Sequence, residues 1–189
     1  SKVSASPRHA RDLLARFITL KSGQSQQDYH GAKAVLYAVA LSPDKQKLVA
    51  VGERGTVVLF DVKTGTLLQR FVGHDAKKSI RAIVFDPKGK WFATAGDDKQ
   101  ILLWSFSEEK PIKPWQEADD EVLALAIDST GQLLASAGSD KKITLWNVET
   151  GEKQQTLSGH DDIIVGLAFS PNNKLLASAS YDKTVRLWQ

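Results

Sequence analysis

The stretch LLASASYDKTVRLWQ, Leu175 to Gln189, decides the fold. It reads as a strand of small alternating residues, a polar turn through Tyr181-Asp182-Lys183, and a second strand that closes on Trp188. Three upstream stretches repeat it: LLASAGSDKKITLW ending at Trp146, WFATAGDDKQILLW at Trp104 and KLVAVGERGTVVLF at Phe60. The closing aromatics are spaced by 44, 42 and 42 residues. A period near 42 made of short runs predicts repeated four-stranded units.

Each unit parses alike. An apolar strand comes first (35–41, 80–85, 122–127, 164–169), then a turn: SPDK at Ser42, DPKG at Asp86, DSTG at Asp128 and SPNN at Ser170. Proline sets φ at the second turn position, and Asn, Asp and Gly tolerate the remaining dihedrals. The small second strand and the aromatic-ended third follow. KTG at Lys63 and ETG at Glu149 then lead into a more polar fourth strand, such as 67–71. Strands apolar on both faces are buried on both faces, so each unit needs a neighbour on either side. Radial stacking satisfies this and protects the sheet edges, which predicts an all-β propeller of four blades, about 34–73, 74–117, 118–159 and 160–189. The fourth strand of the last blade would begin after Gln189.

The sequence resembles the WD-repeat (tryptophan–aspartate) propellers over residues 34–189. The likeness rests on Gly73-His74 and Gly159-His160, on Asp98, Asp140 and Asp182 in the second turns, and on Trp104, Trp146 and Trp188. It implies a hydrogen-bonded group of His, Ser/Thr, Asp and Trp in each blade. Of the two candidate hydroxyl positions, only the one four residues before the Asp keeps a hydroxyl in blades two to four: Thr94, Ser136 and Ser178. Blade two then holds His74, Thr94, Asp98 and Trp104, and blade four His160, Ser178, Asp182 and Trp188. Blade three keeps Ser136, Asp140 and Trp146 but has Ala118 for the His. Blade one has lost the group, with Ala32, Ala50, Arg54 and Phe60 at the four positions.

A His, a hydroxyl and an Asp also suggest a catalytic triad. Recurrence once per blade argues for a fold-stabilising device instead, since an active site occurs once. The chain has no glycine-rich phosphate loop and no nucleophile elbow. His9 and His30 have no second ligand at metal spacing, and the pairs Asp97-Asp98, Asp119-Asp120 and Asp161-Asp162 fall at turns in repeat register. The expectation is no enzyme, no cofactor and no metal.

Composition narrows the partners. The 189 residues are 42% hydrophobic and 25% charged, with no cysteine and a net charge of +3. Residues 1–33 carry net +4, leaving −1 for the rest. The folded body therefore lacks the basic stripe that nucleic acid requires. The longest apolar run, Ala34–Leu41, is far short of a membrane span, and no signal peptide is visible. A chain without cysteine suits the cytoplasm.

What remains is surface. The resemblance implies docking on the rim formed by the loops that join fourth to first and second to third strands. The residues just before the turn Asp point to it: Glu53, Asp97, Ser139 and Tyr181. Arg54 joins them, as do Lys77 and Lys78 in a two-residue insertion of blade two. Tyr181 and Arg54 suit interface anchors best. Trp115 is read as either core filler or an exposed contact, with filler favoured. The function expected is a protein-interaction, scaffold or sensor module binding a protein or peptide, within a longer signalling or regulatory chain. The alternative is a half-propeller that self-associates through its open blade edges. In the basic lead-in, residues 7–20 look helical, with Ser6 as cap, Pro7 at the first position and an apolar face of Leu13, Leu14, Phe17 and Ile18. Residues 24–29 occupy a fourth-strand position and are read as a possible closing strand.

Overall fold

The structure, a computed structural model, describes residues 15–18, 25–115 and 118–189. Four antiparallel sheets follow one another along the chain. Blade one is β3 (Leu36–Leu41), β4 (Lys47–Gly52), β5 (Val57–Asp61) and β6 (Leu67–Phe71). Blade two is β7 (Ile80–Phe85), β8 (Trp91–Gly96), β9 (Ile101–Ser105) and a two-residue β10 (Lys113–Pro114). Blade three is β11 (Val122–Ile127), β12 (Leu133–Gly138), β13 (Lys142–Asn147) and β14 (Lys153–Ser158). Blade four has β15 (Ile164–Phe169), β16 (Leu176–Ser180) and β17 (Val185–Trp188). The first strands β3, β7, β11 and β15 pack consecutively against one another. Among the described residues no helix is long and apolar enough to cross a membrane.

The lead-in differs from its expected form. Ala15–Ile18 is a strand, β1, paired with β2 (Ser25–Tyr29). The rest of the helix expected over 7–20 lies outside the described residues. The strand read at 24–29 exists as β2, but its partner is β1 rather than blade four. The missed signal is in the sequence: Lys21-Ser22-Gly23 resembles Lys63-Thr64-Gly65 and Glu149-Thr150-Gly151, and those two each join a third strand to a fourth.

The core lies between blades. Between blades one and two, Val49, Val51, Val57, Leu59 and Phe71 meet Ile80, Phe92, Leu102 and Trp104. The second interface packs Ala93, Ala95, Ile101 and Leu103 against Val122, Leu134 and Trp146, and the third packs Ala135, Ala137 and Ile143 against Ile164, Leu176 and Trp188. Fourth-strand residues at one register position cover the closing aromatic of the next blade. Tyr29 lies 5.5 Å from Phe60, Phe71 5.3 Å from Trp104 and Trp115 6.2 Å from Trp146. At the last interface Leu157 stands at that position, beside a groove of about 160 Å³ lined by Leu145, Phe169 and Trp188. The arc is open. Val39 and Leu41 on blade one are 54% and 42% exposed, and Val185 and Leu187 on blade four 70% and 67%.

Candidate functional site

Two blades carry the same buried relay. In blade two the Trp104 indole N–H donates to Thr94 Oγ1 at 2.7 Å, Thr94 lies 2.7 Å from His74 Nε2, and His74 Nδ1 lies 2.7 Å from Asp98. In blade four Trp188 donates to Ser178 at 2.9 Å, Ser178 lies 2.7 Å from His160 Nε2, and His160 Nδ1 lies 2.6 Å from Asp182. An imidazole whose Nδ1–H donates to the carboxylate leaves Nε2 to accept the hydroxyl proton, so every group in the chain is satisfied. The same carboxylates accept the backbone N–H of Asp75 and Asp161, tying the loop between blades to the turn between second and third strands. Burial alone would raise the Asp98 pKa. The His74 ring and the N–H groups of Asp75 and Gln100 outweigh it and hold the carboxyl below the usual range. Asp182 is likewise lowered, burial being overcome by Thr184, His160 and backbone N–H groups.

Blade three shows what the imidazole does. Trp146 still donates to Ser136 at 2.7 Å, but Ala118 supplies no ring. A cavity of about 10 Å³, lined by Ala118, Ser136, Asp140 and Thr144, lies there instead. The Asp140 pKa moves the other way: burial raises it, and the nearby charges of Asp119 and Asp120 add to the rise.

Above these relays sits the rim. Each first strand carries a bulge at its second residue, which re-aims Tyr37, Arg81, Leu123 and Val165 out of the ladder. Arg81 makes two 2.9 Å hydrogen bonds to Asp97 and stacks 4.4 Å over the Tyr37 ring. Tyr37 donates to Glu53 at 3.2 Å. Over blades one and two the lip is thus a polar network. Over blades three and four the matching places hold Leu123, Val165 and Tyr181, the last 63% exposed, beside Ser139, so apolar surface replaces the ion pair there.

Comparison with known families fits this arrangement. The model described as "WD domain, G-beta repeat" matches residues 65–105, 109–147 and 151–189. The chain belongs to the WD-repeat family. Each matched repeat begins just before or at the fourth strand of one blade and ends at the third strand of the next, so the sequence repeat and the WD blade are out of phase by one strand. Nuclear distribution protein PAC1 of Coccidioides posadasii is 29% identical over 118 residues, 52% of this chain and 25% of its own. Protein hir1 of Schizosaccharomyces pombe is 38% identical over 74 residues, covering 38% and 8%, and the intraflagellar transport protein 122 homolog of Mus musculus is 34% identical over 83 residues, covering 43% and 7%. The chain spans a quarter or less of the length of these relatives. WD-repeat domains generally mediate protein–protein interaction.

The structure places Glu53, Arg54, Asp97, Ser139 and Tyr181 at equivalent second turns, with Lys77 and Lys78 in the loop above blade two. Lys78 C=O accepts from Gly55 N–H at 2.8 Å, which joins the insertion to the Arg54 turn. Trp115 is packed against Trp146 and within 3 Å of where a Gly151 Cβ would stand. Sequence reasoning missed Tyr37 and Arg81. The signal was present, since both hold the second position of a first strand, but only the bulge shows that this position faces the rim.

Proposed function

We propose that this chain is a non-enzymatic interaction module that takes a protein or peptide on the rim formed by Tyr37, Glu53, Arg81, Asp97, Val165 and Tyr181. The carrying observation is a contrast between layers. The relays beneath repeat from blade to blade, while the rim residues above them differ at every equivalent position, which is the pattern of a common scaffold presenting one specific surface. Two kinds of contact fit the two halves. An apolar anchor suits Val165 and Tyr181, and a hydrogen-bond donor or cation suits the Glu53 carboxylate. The buried state of the relays supports the non-enzymatic reading. Thr94 and Ser178 are 0% and 2% exposed, out of reach of a substrate carbonyl. A place within a longer regulatory chain and a cytoplasmic location complete the proposal.

The test is a binding screen of the wild type beside Tyr181→Ala and Glu53→Ala, two rim changes that leave the core intact. A partner held by the wild type and weakened at least tenfold by Tyr181→Ala supports the rim. Equal binding by all three proteins refutes it.

A second reading, self-association, has its own observation. Val185 and Leu187 are exposed at positions where Val57, Leu59, Ile101, Leu103 and Ile143 are buried beneath the next blade.

A further inference from the structure

The turns that join first to second strands lie at the end of the blades opposite the rim, and they nest. Pro43 stands 3.5 Å from where a Gly89 Cβ would be, and Pro87 3.5 Å from where a Gly131 Cβ would be. The Asn173 side chain accepts the Ser129 N–H at 2.9 Å and donates to Asp128 at 3.3 Å. Four turns thus make one continuous ribbon.

The free charges on this ribbon have one sign. Asp86 and Asp128 are buried and accept N–H groups of their own turns, from Lys90 and from Gln132 and Leu133. Asp44 is held by the Ser42 hydroxyl and the Gln46 N–H, which keep its carboxyl below the usual range. Lys45, Lys88, Lys90 and Lys174 are exposed, and half-buried Lys47 places its Nζ 5.1 Å over the Phe106 ring. None of the five makes a salt bridge among the described residues. At the rim, by contrast, Arg81 holds Asp97, Lys99 holds Asp120, and Lys141 donates to the Asp161 carbonyl. Residues 34–189 sum to −1, so these free lysines are not the overflow of a basic body.

Nor does the turn require them. Blade three holds Thr130 and Gln132 where blade two holds Lys88 and Lys90. Lys45 has a φ of 59°, a left-handed backbone that blades two and three give to Gly89 and Gly131. Four cations therefore stand together on two adjoining turns for a reason outside the fold. No exposed aromatic lies among them for bases to stack on. An anionic membrane plane would also press on Glu149 and Glu152, exposed beside the third-to-fourth turn at the same end. A narrow acidic segment meets the lysines alone.

We propose that the first turns of blades one and two form a second docking surface, opposite the rim, for an acidic segment of a protein partner. Its carboxylates pair with Lys45, Lys47, Lys88 and Lys90, and Lys174 extends the track towards blade four. This surface is independent of the rim reading.

The test uses a labelled Glu-Ser repeat peptide and a variant that gives the two turns the residues of blade three, Lys45→Gly/Lys88→Thr/Lys90→Gln. The wild type should bind the peptide, and more weakly as salt rises from about 0.05 to about 0.3 M. The variant should melt like the wild type and bind about tenfold more weakly, three surface ion pairs at roughly two- to threefold each. Should its Tm fall, Lys88→Thr/Lys90→Gln carries the test alone. Tyr181→Ala and Lys77→Gln/Lys78→Gln should bind the peptide as the wild type does, which separates this surface from the rim. No binding by the wild type, equal binding by the turn variant, or a loss confined to Lys77→Gln/Lys78→Gln overturns the proposal. So does binding to phosphatidylserine vesicles in place of the peptide, which assigns the lysines to a membrane.

Discussion

Placing a histidine where blade three lacks one, Ala118→His, should stabilise the protein, and by an amount that depends on pH. Blades two and four define the gain: two short contacts from the ring, at 2.7 Å each in blade two and at 2.6 and 2.7 Å in blade four, both ends buried. A hydrogen bond to a charged group contributes roughly 1.5–3 kcal/mol. Asp140 is partly exposed, so solvent screening argues for the low end, about 1.5 kcal/mol. Against this, the cavity of about 10 Å³ holds one water-sized group and not an imidazole. The loop carrying residue 118 must open, and fitting extra atoms into a packed site costs on the order of 1 kcal/mol at least. The Ser136 hydroxyl, which gains an Nε2 acceptor, adds about 1 kcal/mol. The net is a gain of about 1 kcal/mol, or roughly 2–4 °C in Tm for a domain of this size. The pH dependence is the sharper mark. The folded pKa of Asp140 is raised, so in the wild type its ionisation weakens the fold as pH rises through the ordinary carboxylate range. With an imidazole N–H as donor its pKa should fall below that range, as for Asp98 and Asp182, and ionisation then favours the fold. Thermal melts at pH 7 and pH 3 should show the full gain at the first and a smaller one at the second. Adding Asp140→Ala should cancel it in a double-mutant cycle. A lower Tm, an equal gain at both pH values, or a gain that survives Asp140→Ala would refute the account.

Three further outcomes follow from the same contacts. His74→Ala leaves the Asp98 carboxylate and the Thr94 hydroxyl short of partners, and should cost about 2–4 kcal/mol by urea unfolding, well beyond any Lys77→Ala effect. Trp115→Ala empties the space over Trp146 and beside Gly151, and should cost about 3–5 kcal/mol, whereas an exposed contact residue at this position would cost under 1. Asp98 and Asp182 both have lowered folded pKa values, so the stability they contribute is present above the ordinary carboxylate range and is lost as pH falls through the folded values. Acid unfolding monitored by tryptophan fluorescence should therefore begin below pH 4, and His74→Ala should weaken that dependence.

Much of this was readable in the sequence because the propeller writes its rules once per blade. A hydroxyl retained at Thr94, Ser136 and Ser178, but not two residues before the Asp, is enough to name the relay's middle member without coordinates. Fourth strands escaped the same treatment. They pair on one edge only, so their length and polarity drift. In blade two the strand shrinks to Lys113–Pro114, with prolines at 111 and 114 removing ladder donors. The equivalence of Tyr29, Phe71, Trp115 and Leu157 is therefore invisible by eye, and with it the reason that a partly buried Trp115 packs against the core and that the last interface keeps a groove.

The described part of the lead-in, Ala15–Ile18, is a strand where a helix was expected, for a related reason. Leu13, Leu14, Phe17 and Ile18 recur at helical spacing, and local pattern favours a helix there. What decides Ala15–Ile18 is not local. A third-strand place beside blade one offers a ladder to β2, and tertiary pairing overrides propensity. The same reasoning explains why loss of the relay from blade one is tolerated. Phe60, Ala50 and Val58 are fully buried beneath Tyr29, so apolar packing from the hairpin substitutes for hydrogen bonds that the other blades make internally. Blade one is thus the blade whose stability depends most on what lies ahead of it, and changes at Tyr29 should be felt there before anywhere else.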